Sequence, residues 1–462
     1  MRPRQSAQSG PLQRQRVRVT GRVQGVGFRP AVARLAADLG LTGLVRNDAE
    51  GVTIEMQGPP CAVAGFAARL TGQDRPPLAR ITALAVEPMS VVPAEARFAI
   101  VASDAQGSPR SQVTADTAVC GDCLSEMRDP EDFRHRYPFI NCTNCGPRYS
   151  IVRRIPYDRP HTTMSAFSMC PRCAAQYHDM QDRRFHAQPV ACPVCGPRVW
   201  LADREGRETQ SDPGKSIAQA ARLLREGRIV AIQGIGGFHL AVDAFQDQAV
   251  ARLRHRKGRD HKPFALMAAS LEEIRSHARV DPAAESVLAS PEAPIVLLPR
   301  RADSPIARSV APGVGTFGFM LCYTPLHHLL FDEGPAVLVA TSGNVSDEPL
   351  ICDHARAVER LGAVADAFLM HDREIYRQVD DSILHCVDGQ PVLLRRARGF
   401  VPGPILMRDR CDRAILAAGA DLKNTFSLVK GDQIVCSEHI GDLEQAEVFQ
   451  HYVRSIDHLR GL

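Results

Sequence analysis

The chain has 462 residues, 44% hydrophobic and 23% charged, and its 56 basic against 52 acidic side chains leave a net charge of +4. That length exceeds a single core and predicts roughly three or four domains. The composition excludes a disordered or fibrous chain, and so balanced a charge does not by itself identify a nucleic-acid or membrane partner.

The N-terminal MRPRQSAQSGPLQRQRVRV is basic but lacks the apolar core of a signal peptide, and no later apolar run reaches membrane-spanning length. Residues 1–15 are expected to form a disordered tail on a cytoplasmic protein that has no membrane partner. Residues 16–103 then read as strand QRVRVTG, a loop, and a helix with Val32, Leu35, Ala36 and Leu39 on one face. A strand pair follows around LVRNDAEGVTIEMQG, then helix CAVAGFAARL and strand ITALAVEP. The order βαββαβ predicts a ferredoxin-like sandwich.

The loop TGRVQGVGFRP joins its first strand to its first helix. Glycines permit positive φ, so the N–H groups of Gln24, Gly25, Val26, Gly27 and Phe28 can converge as an anion nest at a helix N-terminus. Arg29 adds a forked charge for phosphate oxygens. Alone, such a loop is more often a tight turn; Asn47, in the next strand, changes the reading. GRVQGVGFR with an Asn in VRN and then EGxxxE resembles the acylphosphatase family over residues 16 to 103. The resemblance implies that Arg29 binds the phosphoryl group and Asn47 orients the attacking water. An acyl phosphate carries a good leaving group, so positioning and charge stabilisation suffice without a strong protein base.

A polar stretch, SDAQGSPRSQ, opens the region 104–208, which contains a repeat of period 50. Cys120, Cys123, Cys142 and Cys145 map onto Cys170, Cys173, Cys192 and Cys195, and CGPR at 145–148 recurs at 195–198. Of fourteen cysteines, eight lie in these C-x2-C-x18-C-x2-C arrays, which suits a reducing compartment and metal ligation rather than disulfides. Four thiolates with no open position predict two structural Zn2+ sites. Iron–sulfur ligation uses the same donors, but short knuckles with CGPR turns favour zinc ribbons. Basic residues mixed with acids, and few aromatics, argue against a nucleic-acid finger.

From residue 209 to 405, helices alternate with short apolar strands such as RIVAIQG, IVLLP and AVLVATSG, a mixed α/β pattern. Lys257, Arg259 and Lys262 precede one strand; TSGNVSDEP, with Ser342 and Asn344, follows another; LLRRARGF carries Arg395, Arg396 and Arg398. Cations with a hydroxyl and amide loop at strand ends can hold a triphosphate. Together these pieces resemble the YrdC-like domain, which implies an ATP site, with Mg2+, formed by Lys257, Arg259, Lys262, Ser342, Asn344, Arg396 and Arg398. There is no Walker A loop.

Residues 406–462 read as two or three strands and a helix, too short for a domain, so the sequence is expected to be C-terminally truncated. GADLKNTFSLVKG and SEHIGDLE resemble the opening of a partial actin-like transferase domain, with His439, Gly441 and Asp442 in that opening. The order of the four regions is similar to that of the hydrogenase-maturation carbamoyltransferase family, HypF. The resemblance implies α+β multidomain architecture and a three-step path: carbamoyl phosphate is hydrolysed to carbamate, ATP converts it to carbamoyl adenylate, and the carbamoyl group passes to the C-terminal cysteine of the partner HypE as precursor of the cyanide ligands of nickel–iron hydrogenase. The alternatives are a threonylcarbamoyl-adenylate synthase acting in tRNA modification and a non-catalytic zinc-ribbon RNA-binding protein.

Overall fold

The computed structural model describes residues 11–104, 112–345 and 348–461. Residues 1–10 of the expected tail and most of the polar stretch after Ser103 lie outside them. The first unit comprises β1 (Gln13–Arg22), α1 (Phe28–Asp38), β2 (Thr42–Asn47), β3 (Val52–Gly58), α2 (Pro60–Thr71), β4 (Arg80–Met89) and β5 (Phe98–Ile100). Its sheet order is β4-β1-β3-β2-β5, the predicted sandwich with a short edge strand added. Val17, Val19, Val45, Ile54 and Met56 from the sheet pack against Val32, Leu35, Ala36, Val63, Phe66 and Leu70 from the helices. Period-2 and helical spacing thus aim apolar side chains at one core.

Residues 13–15 of the expected tail are strand instead: β1 starts at Gln13, which pairs with Gly58. Arg14 supplies the reason: its guanidinium meets Glu55 at 3.0 Å and Glu95 at 2.7 Å. Cross-strand ion pairs hold a polar strand end that hydrophobic patterning cannot reveal.

The cysteine region folds as two similar modules, each with one short helix, α3 (Gly121–Arg128) and α4 (Pro171–His178). The repeat extends to turns: Asp132 Oδ1 accepts from Arg134 N and Asp182 Oδ1 from Arg184 N, both at 2.7 Å. Fully buried Arg134 donates Nε to Ala191 O, and Arg184 returns the bond to Asn141 O, fifty residues earlier than Ala191. The modules therefore interlock by exchanging equivalent contacts.

The third unit is a mixed sheet of eleven strands. Its members are β6 (Val199–Asp203), β7 (Glu208–Gln210), β8 (Val230–Gln233), β9 (Phe238–Asp243), β10 (Ala265–Ala268), β11 (Ile295–Pro299), β12 (Thr316–Leu321), β13 (Val337–Ser342), β14 (Ala367–His371), β15 (Ile383–Val387) and β16 (Gln390–Arg395). β6 pairs with β14 from Val199 onward, so the sheet begins ahead of the boundary expected at 209. Val199 and Leu201 are buried in a core that the cysteine modules share with the sheet, and Ala202 in the sheet's own core, so apolar burial carries the chain straight from module to sheet. Among its helices, α5 (Pro213–Arg225) is capped by Asp212, which accepts from Lys215 N at 2.8 Å. α6 (Asp247–Lys257) is stopped by Gly258 at φ 62°, which leaves Lys257 in its final turn. The C-terminal segment forms an antiparallel hairpin, β17 (Ile405–Ala417) and β18 (Ser427–Cys436), then a helix at Ala446–Arg460. Among the described residues, no helix is long and apolar enough to cross a membrane.

Candidate functional site

The turn between β1 and α1 carries Gly25 at φ 74° and Gly27 at φ 72°, conformations that glycine alone adopts without strain. Thr114 Oγ1 donates to Gln24 O and Arg148 Nε to Gly25 O, each at 2.6 Å. In a trans peptide the N–H points opposite to the carbonyl, so the N–H groups of Gly25 and Val26 are turned away from those donors. Among the described residues, no backbone N–H from Gln24 to Phe28 meets a protein acceptor. Gln24 braces the turn: its Nε2 donates to Asp48 O and Gly51 O at 2.8 Å, and its Oε1 accepts from Tyr157 N at 3.0 Å.

Arg29, in the first turn of α1, is buried and donates to Asp158 Oδ1 at 2.8 Å, Ser103 Oγ at 3.2 Å and Tyr157 O at 3.4 Å. Asn47 ends β2 with 1% exposure, and neither its amide oxygen nor its nitrogen has a partner among the described residues. Leaving such groups unpaired costs about 1–3 kcal/mol each, a cost characteristic of groups kept for a ligand. Gln24, Gly25, Gly27 and Phe28 of the cradle line one small cavity together with Arg29 and Asn47. Its other wall comes from the zinc modules: Thr143, Arg148, Tyr157, His186 and Gln188.

Sequence reasoning missed that wall. The repeat does pair His186 with Arg136, and both turns are left-handed, at φ 52° and 53°. Nothing in the repeat says which turn faces the cradle. Burial, with the Arg29 cation nearby, lowers the His186 pKa to about 4, so the ring is neutral at physiological pH.

Both cysteine sets converge. Sulfur separations are 3.7 Å for Cys120–Cys142, 3.8 Å for Cys142–Cys145 and 3.5 Å for Cys145–Cys123, and 3.7 Å for Cys170–Cys192 and Cys192–Cys195. A tetrahedron with zinc–sulfur bonds of about 2.3 Å has edges of about 3.8 Å. The sites fit two zinc ions, and all the cysteines are free of disulfides. Each cluster also receives an arginine from the opposite module: Arg134 Nη2 donates to Cys173 Sγ at 3.3 Å, and Arg183 Nη2 to Cys123 Sγ at 3.1 Å. These charges offset the excess negative charge of four thiolates around a divalent ion.

In the large sheet, Lys257 Nζ donates to Ser342 O, Asn344 O and Asn344 Oδ1 at 2.6–2.8 Å, and Arg259 reaches Thr341 Oγ1 at 3.5 Å and Pro263 O at 2.8 Å. Lys262 joins through its carbonyl, which accepts from Arg254 and Arg259. Ser346 and Asp347 of the same loop lie outside the described residues. Arg398 approaches by a relay: it donates to Asp381 at 2.7 Å, Asp381 meets His239 Nε2 at 2.9 Å, and His239 pairs across the sheet with Ser342. Burial opposes charge on Asp381, yet Arg398 and His239 hold its carboxyl well below the usual range. Arg396 turns elsewhere, to the carbonyls of Phe400 and Gly403. His239 and Asp381 carried no sequence signal, being isolated residues brought together by strand order.

A second small cavity lies between Gly146–Pro147 and the sheet residues Gly234, Ile235 and His371. The first CGPR turn thus borders both cavities, with Arg148 on one and Gly146 on the other.

Known proteins resemble this chain region by region. Family models match as acylphosphatase over residues 15–100, HypF finger over 119–152 and 169–202, the Sua5–YciO–YrdC group described as telomere recombination over 222–397, and HypF Kae1-like domain over 410–462. Carbamoyltransferase HypF of Rhodobacter capsulatus is 48% identical over 96% of this chain and 58% of its own length. A crystal structure of full-length HypF in a phosphate- and nucleotide-bound form has TM-score 0.94 and 43% identity, covering 99% of this chain and 59% of that one. An acylphosphatase of Methylococcus capsulatus is 42% identical over 20% of this chain and 97% of itself. The chain spans just under three-fifths of the HypF relatives' length.

Proposed function

Because the chain belongs to the HypF carbamoyltransferase family, we propose that it carries out the early steps of carbamoyl transfer in nickel–iron hydrogenase maturation. The reading rests above all on the buried, unpartnered Asn47 amide sharing a cavity with Arg29 and four residues of the turn, Gln24, Gly25, Gly27 and Phe28, whose backbone N–H groups are open. Carbamoyl phosphate enters with its phosphoryl group on the N–H nest and Arg29, which spread its charge over fixed donors. Asn47 holds water in line with the bond between phosphorus and the carbamoyl oxygen. Attack on phosphorus expels carbamate, a weakly basic leaving group, while the water's proton stays on the phosphate formed, so no protein base is required.

Carbamate decomposes in water, which favours its use by a neighbouring site of the same chain before escape. At the large sheet, Lys257, Arg259, Lys262, Ser342 and Asn344 bind the phosphates of ATP, while Arg398, fixed through Asp381 and His239, shapes the floor. Mg2+ arriving with ATP neutralises phosphate charge. Carbamate oxygen attacks the α-phosphorus and pyrophosphate leaves, giving carbamoyl adenylate. The HypF relative solved with phosphate and nucleotide supports two such sites. Transfer to the C-terminal cysteine of HypE completes the sequence in the full-length family. The two zinc sites are structural, and a cytoplasmic setting agrees with their free thiols.

ATP–pyrophosphate exchange with this chain tests the reading. Carbamoyl phosphate is expected to stimulate exchange, and Arg29→Ala to cut that stimulation at least about 100-fold while exchange driven by added carbamate survives. Stimulation by threonine plus bicarbonate instead would establish the synthase alternative; salt-sensitive RNA binding without exchange would establish the RNA-binding one.

A further inference from the structure

The anion face of Arg29 is already occupied. Asp158 Oδ1 lies 2.8 Å from its Nη2, and the other carboxylate oxygen accepts from Ser103 Oγ, which itself accepts from Arg29 Nη1 at 3.2 Å. Guanidinium, hydroxyl and carboxylate close a ring. The carboxylate therefore meets the arginine as a phosphoryl oxygen would, with charge-assisted bonds.

Three observations set this pair apart from an ordinary salt bridge. Asp158 does not belong to the cradle's own unit; it comes from the segment that links the two zinc modules, 129 residues further along the chain. It stands at the N-cap of the short turn Arg159–His161, yet its side chain makes no capping bond there, so the usual use of an aspartate at that position is set aside. Its side chain is 23% exposed while that of Arg29 is 9% exposed. The acid thus has an open route outward and the arginine has none.

We propose that Asp158 is an internal competitor for the phosphoryl site: its carboxylate holds Arg29 in place of the phosphoryl group, and the substrate enters by displacing it. This rests on the reading of Arg29 as the phosphate ligand. The competitor keeps the buried guanidinium paired and oriented between turnovers. It also weakens the hold on the phosphate product, because a returning carboxylate speeds release of inorganic phosphate. Ser103 steadies the carboxylate. A dianionic phosphate and the Asp158 carboxylate cannot share one guanidinium face without like-charge repulsion.

Titration calorimetry of the full chain with inorganic phosphate provides the test. Asp158→Asn keeps the shape and removes the charge, and it is expected to bind phosphate about tenfold more tightly than wild type. Asp158→Glu keeps the charge and stays within threefold of wild type. Ser103→Ala loosens the competitor and gains affinity in the same direction by a smaller factor, which also decides the matter should Asp158→Asn fail to fold. Unchanged or weaker phosphate binding in folded Asp158→Asn, with Arg29→Ala abolishing binding, overturns the competitor while sparing the phosphate site. Full binding by Arg29→Ala overturns the phosphate site and the competitor with it.

Discussion

Fifty residues apart, the two CGPR turns end on the same arginine and put it to opposite uses. Arg148 is buried and donates to five carbonyls: Gly25, Cys145, Pro147, Cys142 and Thr143. Arg198 lies half exposed over Trp200, beside Asp372 and Glu208. One module is a clamp on the cradle; the other passes the chain into the large sheet through β6. A repeat duplicates metal geometry, and the surroundings of each copy then decide what its repeated positions do.

Breaking the clamp gives the largest contrast. Arg148→Ala strands four buried carbonyls and that of Gly25 and is expected to cost about 3 kcal/mol or more, and to depress carbamoyl phosphate hydrolysis by freeing the Gly25 peptide. Arg198→Ala is expected to stay within about 0.5 kcal/mol of wild type. Chemical denaturation of the two variants side by side reads the difference, and equal losses would mean the turns are equivalent after all.

The reciprocal arginines sharpen the comparison at the metals. Arg134→Met should weaken zinc at the second cluster and Arg183→Met at the first, each by about tenfold, although each mutation sits in the other module. Zinc transfer to a chromogenic chelator, with cobalt substitution to follow each thiolate set, would show it; loss confined to the mutated module would refute the exchange.

The smallest effect separates His186 from its repeat partner Arg136. His186 titrates at about 4 in the folded chain and near 6.5 when unfolded, so the unfolded state binds the extra proton as pH falls between those values. Stability should therefore decline by about 1 kcal/mol from pH 7 to 5.5 through this group. His186→Gln is expected to flatten that part of the denaturation profile, and Arg136→Gln to leave its slope unchanged.

The cradle was legible because its donors are consecutive backbone groups, so glycine spacing alone sets them out. The thiolate clusters were legible for the same reason: ligand spacing is written along the chain. The second wall of the cradle was not, since Tyr157, Asp158 and His186 acquire meaning only when the modules fold back across α1. The cluster around Lys257 lies between these extremes. Lys257 and Asn344 do meet, but Arg396 is spent on its own turn, and His239 with Asp381 depended on a strand order that local pattern does not encode.

The crossed arginines also impose an order in time. Arg134 precedes Cys173, so the second cluster finds its counter-charge waiting as it leaves the ribosome. Cys123 must wait for Arg183, 60 residues later, an interval of about 3–12 seconds at ordinary elongation rates. During synthesis the first set of thiolates stands under-neutralised until Arg183 has been made. A nascent chain interrupted between the modules holds all four ligands of its first site without the counter-charge that the second module supplies.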